Sequence, residues 1–186
     1  ALAMVHNPDV DTWTFNRIQS GDGDIRRVGL NFGAPGDRKA ENGTLWLDYP
    51  SRGGASPGVS IKTVPEKPKW FSRHSSRIQK GVLKWVEASG AKGITDIRVK
   101  MASSKGKEES SGPADENRYT VRLHFAEPDK VEEGQRVFDI SVEGETVIED
   151  FDIVKEAGGP NVGVVKEFAA LSSSGDVDIS LKPKAN

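Results

Sequence analysis

Strict alternation of apolar and polar residues marks the middle of the chain. From Tyr119 to Phe125 every second residue is apolar, and the residues between them are Thr120, Arg122 and His124. A period of two is the pattern of a strand with one buried face and one solvated face, as in an antiparallel sheet. The alternation therefore predicts a strand here, with His124 on its solvent-facing side.

Two further runs follow this strand, each after a short polar segment. Phe138, Ile140 and Val142 alternate, and a turn at residues 143–145 leads to a run that ends at Phe151 and Ile153. Three strands joined by polar turns predict a meander. Such a meander indicates an all-β fold rather than a nucleotide-binding α/β fold.

Similar patterns predict strands along the rest of the chain. These segments are 12–18, 28–32, 44–49, 59–64, 71–78, 84–89, 94–101, 164–171 and 176–181. Residues 20–43 and 50–58 are rich in Gly, Asp, Asn, Ser and Pro, which predicts loops. Residues 102–117 are polar, charged and poor in β-branched residues, so they predict a flexible hairpin tip.

Composition narrows the class of protein. A chain of 186 residues is expected to form a single domain over residues 1–186. Its net charge of −2 argues against a nucleic-acid partner, and no apolar run is long enough to predict a membrane span. The absence of cysteine excludes disulfides, thiolate zinc sites and cysteine nucleophiles. The first residues do not read as a signal peptide, so either a signal peptide has been removed or the chain is a module of a longer protein.

Three sequence strings occur in order around the predicted meander. They are LHFAE at 123–127, GQRVFDISVEG at 134–144 and EDFDI at 149–153. Together they resemble the malectin-like domains, most specifically over residues 117–181. Upstream, GAPGDRKAENGTLWLDYPS and FSRHSSRI resemble bacterial versions of that module. The resemblance implies an antiparallel β-sandwich of the jelly-roll, galactose-binding-domain-like type, and an extracytoplasmic place (periplasmic, cell-surface or secreted) within a larger exported protein.

Sugar binding requires an aromatic ring for the C–H face of a pyranose and planar polar groups for its hydroxyls. Trp46 is expected either to point outward or to pack beneath the 20–43 loop, and one of the adjacent Trp70 and Phe71 should be exposed. Glu127 follows a strand and precedes a proline turn, where its carboxylate would meet sugar hydroxyls. The candidate ligand-binding residues are Trp46, Tyr49, Trp70, Phe71, His74, Arg77 and Glu127.

The chain departs from malectin where the resemblance places that protein's ligand. Two of the loop aromatics that hold an oligosaccharide in malectin lie just after its LHFAE-like string. Residues 128–133 occupy this place here, and none of them is aromatic. His74 is the nearest substitute for a third aromatic. The specificity of malectin for its own glycan is therefore not carried over.

Catalytic and metal chemistry find little support in the sequence. A glycosidase needs two carboxylates across a sugar, and no pair stands in a recognisable catalytic context. No G-x-S-x-G motif is present, and His74 and its two following serines are only sequence neighbours. The histidines have no i, i+4 companions, which argues against zinc. Asp37, Glu41 and Asn42 could hold a structural calcium ion, although a polar loop with a turn is the simpler interpretation.

Three aspartates of the shared strings need a role as well. Asp139, Asp150 and Asp152 alternate with apolar residues of the predicted strands. We expect them to bond across strands or to hold a loop, rather than to contact a ligand.

These observations predict a protein that is not an enzyme. The function they favour is a non-catalytic carbohydrate-binding module that tethers a larger exported protein to an oligosaccharide or polysaccharide, without a cofactor. Its other partners would be the remaining domains of the parent chain. The alternative is a structural or protein-interaction β-sandwich without sugar binding. An exposed ring flanked by convergent polar groups would favour the first function over the second.

Overall fold

Strands dominate the computed structural model, which describes residues 4–7, 12–15, 27–53, 58–101, 117–173 and 176–184. The strands are β1 Met4–Asn7, β2 Thr12–Phe15, β3 Gly29–Phe32, β4 Arg38–Lys39, β5 Leu45–Tyr49, β6 Ile61–Val64, β7 Lys69–Ser72, β8 Ser89–Lys92, β9 Asp96–Lys100, β10 Asn117–Ala126, β11 Val137–Val142, β12 Glu145–Asp152, β13 Gly163–Ser173 and β14 Asp176–Pro183. The helical pieces are a 3₁₀ turn Ser75–Arg77, helix α1 Lys84–Glu87 and helix α2 Ile153–Ala157.

One layer of the fold is a sheet of five strands in the order β12-β11-β14-β9-β6, with antiparallel neighbours throughout. Alternation decides which face of this sheet is buried. Ile97 and Val99 of β9 are buried between exposed neighbours, and Val177 and Ile179 of β14 are buried between residues that are more exposed. Shorter sheets supply the other side, namely β3-β5-β4, β10-β13 and β7-β8. The predicted all-β sandwich of antiparallel sheets is confirmed, with β3 and β5 forming a parallel pair within it.

The core lies between these layers. Its buried members from the five-stranded sheet include Val99, Val142 and Ile179. Side chains from the opposite layer pack against them, among them Leu30, Phe32, Tyr119, Val121, Leu123 and Phe168. The apolar half of the alternation in β10 therefore faces the core, as the sequence predicts.

A cluster of three phenylalanines extends this core towards one end. The ring centroids of Phe125 and Phe151 lie 5.0 Å apart, and that of Phe138 lies 5.8 Å from Phe125 and 5.3 Å from Phe151. Tilted and edge-on arrangements at these distances are the favoured ones for aromatic pairs. The cluster joins β10 to the hairpin of β11 and β12 across the two layers.

The predicted meander is wrong in its pairing, although each of its three strands exists. β10 pairs with β13, whereas β11 pairs with β12 and β14 in the other layer. The charged segment 127–136 lets the chain cross between layers instead of turning back beside β10. Alternation reveals which residues face the core, but it does not reveal which strand lies alongside.

Two predicted strands are partly replaced by helical turns. Residues 84–89 were expected to be extended, but Lys84–Glu87 is helical and only Ser89 begins β8. Val86, Glu87 and Ala88 are all buried, and three consecutive buried residues do not suit a half-buried strand. The segment 71–78 is likewise a short strand followed by the 3₁₀ turn.

The other predicted strands are present with shifted ends. The 28–32, 44–49, 59–64, 94–101, 164–171 and 176–181 segments correspond to β3, β5, β6, β9, β13 and β14. The predicted early strand corresponds to β2, which pairs with β1. Residues 102–116 of the predicted hairpin tip lie outside the described residues.

Candidate binding surface

In the antiparallel pair of β7 and β8, two adjacent aromatic rings point to opposite sides. Trp70 pairs with Ala91 and Phe71 pairs with Gly90 in the antiparallel register. A Cβ on Gly90 would stand only 2.7 Å from Cε1 and Cζ of Phe71. The Phe71 ring therefore lies directly on the bare Cα of Gly90. The ammonium group of Lys92 lies 5.7 Å from the centre of this ring.

Charged groups converge beside Phe71 on the carboxylate of Asp129. Lys92 Nζ donates to Asp129 Oδ2 at 2.6 Å, and Arg136 Nη2 donates to the same oxygen at 3.1 Å. Arg73 Nη2 lies 3.7 Å from Asp129 Oδ1. The hydrogen bonds from Lys92 and then from Arg136 lower the pKa of Asp129 from its ordinary value of 3.8. We call Phe71, Arg73, Lys92, Asp129 and Arg136 the loop-end surface.

The groups of the loop-end surface remain partly open to solvent. The side chains of Arg136, Arg73, Asp129 and Lys92 are 43%, 38%, 33% and 23% exposed, and Phe71 is half-buried. A flat apolar ring thus stands next to guanidinium, ammonium and carboxylate groups that a ligand can reach.

Glu127 lies beneath this surface, and its carboxylate does not face solvent. Its side chain is 3% exposed. Arg136 Nη1 donates to both carboxylate oxygens at 2.7 and 2.8 Å, and the backbone N–H of Asp129 donates at 2.9 Å. The carbonyl oxygen of Glu127 accepts from the N–H of Asn161 at 2.8 Å. Glu127 therefore holds the 127–136 loop, and the direct contact with sugar hydroxyls that the sequence suggests stays a prediction.

A second set of bonds ties the segment after β7 to the same loop. Arg73 Nη1 donates to the carbonyl oxygen of Pro128 and, at 3.4 Å, to Oδ1 of Asn161. The 3₁₀ turn follows at once, and His74 caps it by accepting from the N–H of Ser76 at 3.3 Å. His74 and Arg77 are both exposed. Of the predicted ligand residues, Phe71, His74 and Arg77 therefore lie on one segment that borders the loop-end surface.

The remaining predicted aromatics lie in clusters of rings and are half-buried. Trp70 stacks on Phe32 with ring centres 6.0 Å apart and meets Tyr49 edge-on at 5.8 Å. The hydroxyl of Tyr49 donates to the carbonyl oxygen of Ile61 at 3.4 Å. Trp46 lies edge-on to Trp85 at 5.8 Å. Packing against other rings occupies these side chains, and the structure does not bring them to Phe71.

The predicted solvent position of His124 is wrong. Its side chain is 8% exposed, and its ring lies edge-on to Trp46 at 5.2 Å. Its Nδ1 lies 3.6 Å from Oε1 of Glu87, whose side chain is 0% exposed. Helix α1 and strand β5 thus cover the outer face of β10 here. Alternation alone assigned that face to solvent because it cannot show that side chains from distant segments cover it.

The three aspartates of the shared strings have structural contacts. Asp139 accepts from the backbone N–H of Asp150 at 2.9 Å, and Lys184 Nζ lies 2.6 Å from Asp150 and 3.1 Å from Asp139. The N–H of Asp150 first, and Lys184 next, lower the pKa of Asp139. Asp152 caps α2 by accepting from the N–H groups of Val154 and Lys155 at 2.8 and 3.2 Å. The expectation of cross-strand and loop-holding bonds is confirmed.

In the loop proposed for calcium, two side-chain oxygens accept hydrogen bonds from backbone N–H groups. Asp37 Oδ1 accepts from the N–H of Asp48 at 2.9 Å, and Asn42 Oδ1 accepts from the N–H of Thr44 at 3.0 Å. Within the described ranges, no group of three or more His, Cys, Asp or Glu residues could hold a metal ion. Among the helices in the described part of the chain, none is long and apolar enough to cross a membrane. Calcium binding at Asp37, Glu41 and Asn42 stays a prediction.

Comparisons with known proteins bear most on the C-terminal part of the chain. Residues 109–185 match the family model of the Malectin domain. Receptor-like protein 4 of Arabidopsis thaliana is 42% identical over 69 residues, which are 36% of this chain and 11% of that protein. A probable leucine-rich repeat receptor-like serine/threonine-protein kinase of the same plant is 43% identical over 70 residues, or 34% of this chain and 7% of that protein. These matches support a malectin-like domain.

Solved structures similar to this chain extend the likeness to most of its length, at the level of the fold. Bacteroides uniformis β-glucuronidase gives a TM-score of 0.57 at 16% identity, over 84% of this chain and 16% of that one. The extracellular domain of ANXUR2 from Arabidopsis thaliana gives a TM-score of 0.54 at 17% identity, over 83% of this chain and 42% of that one. The chain spans about a tenth or less of the curated relatives. Those relatives are plant proteins, so they give no support to the expected bacterial version.

Proposed function

We propose that this chain is a non-catalytic carbohydrate-binding module of a larger extracytoplasmic protein, and that the loop-end surface binds the sugar. The relatives support a binding module of this general kind, because they are receptor-like proteins that match its malectin-like part. The proposal also treats residues 1–186 as one domain of the parent protein.

The observation that carries the proposal is the position of the Phe71 ring. The half-buried ring lies on the bare Cα of Gly90, and the Lys92 ammonium lies over the ring, 5.7 Å from its centre. Lys92 and Arg73 also pair with Asp129. A ring in this position offers a flat apolar face to the C–H groups of a pyranose. The partly exposed guanidinium, ammonium and carboxylate groups beside it supply donors and acceptors for the hydroxyl groups. Affinity per site would be low, because a shallow surface buries little area.

The arrangement of carboxylates supports a non-catalytic role. Glycoside hydrolysis requires one carboxyl group that donates a proton and a second that acts as base or nucleophile. Asp129 is the carboxylate of the loop-end surface and Glu127 lies beneath it, and Arg136 contacts both. Glu127 is buried in addition. Neither group is free to act as a general acid towards a bound sugar.

The alternative is a protein-interaction module on the same sandwich. One feature of the surface favours it: Asp129 already holds three cationic side chains in ion pairs, so fewer of their donors are available for sugar hydroxyls. Aromatic and arginine side chains at a partly exposed surface are also typical of protein interfaces. The choice between the two functions depends on direct binding measurements.

Affinity electrophoresis through mixed polysaccharides, together with a glycan array, tests the proposal. The chain, a Phe71→Ala variant and a Val64→Ala control would be compared with and without Ca²⁺. Val64 is an exposed apolar residue, 55% accessible, on edge strand β6. We expect retention on at least one sugar, a loss of about tenfold in affinity for Phe71→Ala, and no change for Val64→Ala.

Two results would contradict the proposal. One is the absence of retention on every sugar by a folded wild-type chain, which would favour the protein-interaction function. The other is equal retention of the wild type and Phe71→Ala, which would show that the sugar binds outside the loop-end surface. Circular dichroism of each variant shows whether it is folded, so that loss of binding is not confused with loss of structure.

A further inference from the structure

A small group of buried polar atoms lies away from the loop-end surface. Within the described residues, the buried side-chain nitrogen and oxygen atoms that lack a hydrogen-bond partner are Trp46 Nε1, Asp48 Oδ1, Glu87 Oε2 and His124 Nδ1. Three of them belong to Trp46, Glu87 and His124, and His124 lies next to each of the other two. We call these three side chains the polar compartment. Buried polar atoms without a partner cost free energy, so such a concentration requires an explanation.

His124 lies between the other two side chains of the polar compartment. Trp46 and His124 lie edge-on with ring centres 5.2 Å apart. Nδ1 of His124 lies 3.6 Å from Oε1 of Glu87, which is longer than a hydrogen bond. At a separation longer than about 3.5 Å, a bridging water molecule is the interaction to test for.

The Glu87 carboxyl group is held in its position by the backbone. Its Oε1 accepts from the N–H groups of Val82 and Leu83 at 3.1 and 3.2 Å. Glycines close on it from two sides: a Cβ on Gly81 would stand 1.7 Å from Oε2, and one on Gly163 would stand 2.3 Å from it. The carboxyl group therefore cannot swing towards His124 without losing both backbone bonds.

The three unpartnered atoms form a complementary set. The indole Nε1 of Trp46 can only donate, Oε2 of the Glu87 carboxylate can only accept, and a ring nitrogen of His124 can do either, according to its tautomer. A water molecule both donates and accepts, and buried waters typically make about three hydrogen bonds to groups of this kind. No purely apolar ligand would satisfy these atoms.

We propose that the polar compartment binds one internal water molecule, which bridges Trp46 Nε1, Glu87 Oε2 and His124 Nδ1. The water accepts a hydrogen bond from the indole N–H, donates one to the carboxylate and makes a third with the imidazole nitrogen. It thereby links β10 to β5 and α1, the two elements that cover the outer face of β10. This site is independent of sugar binding.

A crystal structure at high resolution tests the proposal directly. We expect a peak of solvent density within about 3.2 Å of all three atoms. An anomalous signal from a metal ion at that position would overturn the proposal. So would direct hydrogen bonds among the three side chains, with no peak between them.

A matched pair of variants adds a test in solution. Trp46→Phe removes the indole donor, whereas Trp85→Phe makes the same change in the ring that lies edge-on to Trp46 at 5.8 Å. Magnetic relaxation dispersion of water oxygen-17 counts long-lived internal waters. We expect one fewer long-lived water in Trp46→Phe and no change in Trp85→Phe. Equal numbers of long-lived waters in the wild type and in Trp46→Phe would overturn the proposal. If Trp46→Phe does not fold, the solvent density in the wild-type crystal structure is the test.

Discussion

The indole ring of Trp46 lies directly on the Cα of Gly29. The two residues are partners in the parallel pair of β3 and β5, and a Cβ on Gly29 would stand 2.2 Å from Cδ2 of Trp46. The ring is held in this position by Trp85 and His124, which it meets edge-on. Packing therefore favours a glycine at position 29, since any side chain there would displace the Trp46 ring from its contacts with Trp85 and His124.

Gly29→Ala is expected to destabilise the fold by about 1–3 kcal/mol, because overpacking of a fixed ring forces backbone shifts. Gly36→Ala is the matched control, since nothing lies within 4 Å of a Cβ at that position. Urea unfolding followed by tryptophan fluorescence measures both changes. Equal stability of the two variants would show that the Trp46 ring can move aside.

Arg136→Ala is expected to cost about 1–3 kcal/mol, because it leaves the buried carboxylate of Glu127 without its charged partner. Arg136 contacts both oxygens of Glu127, whose side chain is 3% exposed. Arg122→Ala is the control, because the Arg122–Glu167 pair is 58% and 50% exposed and such pairs contribute under about 1 kcal/mol. Equal losses in urea unfolding would show that Glu127 finds other partners.

Asp152→Ala is expected to destabilise the protein by about 2 kcal/mol. Its carboxylate accepts from the N–H groups of Val154 and Lys155 and from that of Gly134, so it fixes both α2 and the 132–135 turn. Lys155→Ala keeps these bonds, because Lys155 contributes its backbone N–H, and it serves as the control. Thermal unfolding of both variants measures the difference, and a loss no larger than that of Lys155→Ala would contradict the assignment.

Stability should fall as the pH is lowered through the acidic range. The pKa values of Asp129 and Asp139 are lower in the folded protein than the ordinary value of 3.8. The unfolded chain therefore binds more protons, so these groups stabilise the fold above about pH 4, and the effect is lost as the pH falls through their lowered pKa values. Urea unfolding between pH 2.5 and 7 measures the slope.

The double variant Asp129→Asn, Asp139→Asn tests whether these two carboxylates cause the dependence of the free energy of unfolding on pH. We expect it to be less stable than the wild type at pH 7 and to lose less stability on acidification. An unchanged difference in stability between the wild type and this variant at both ends of the pH range would show that other carboxylates cause the slope.

Residues of the candidate surface illustrate what the pattern of the chain can and cannot predict. Phe71 is a predicted ligand residue because adjacent aromatic residues in a strand must face opposite sides. The antiparallel pair of β7 and β8 confirms that Phe71 and Trp70 point in opposite directions. Lys92 and Arg136 were not predicted, because nothing in their local sequence distinguishes them from other surface cations. They converge on Asp129 from separate segments of the chain.

The sequence by itself determined most of the strands and their inward faces, because a period of two is a local property that follows from the geometry of an extended backbone. The helical turns within 71–78 and 84–89 were not determined in this way. The sequence also determined the structural role of Asp139 and Asp152, which act on neighbours in the same hairpin or helix. Only the tertiary structure decided that β10 pairs with β13, that His124 is covered by Trp46, and that Glu127 is buried under Arg136. Each of these contacts joins distant segments or depends on the path of a loop, and alternation carries no information about either.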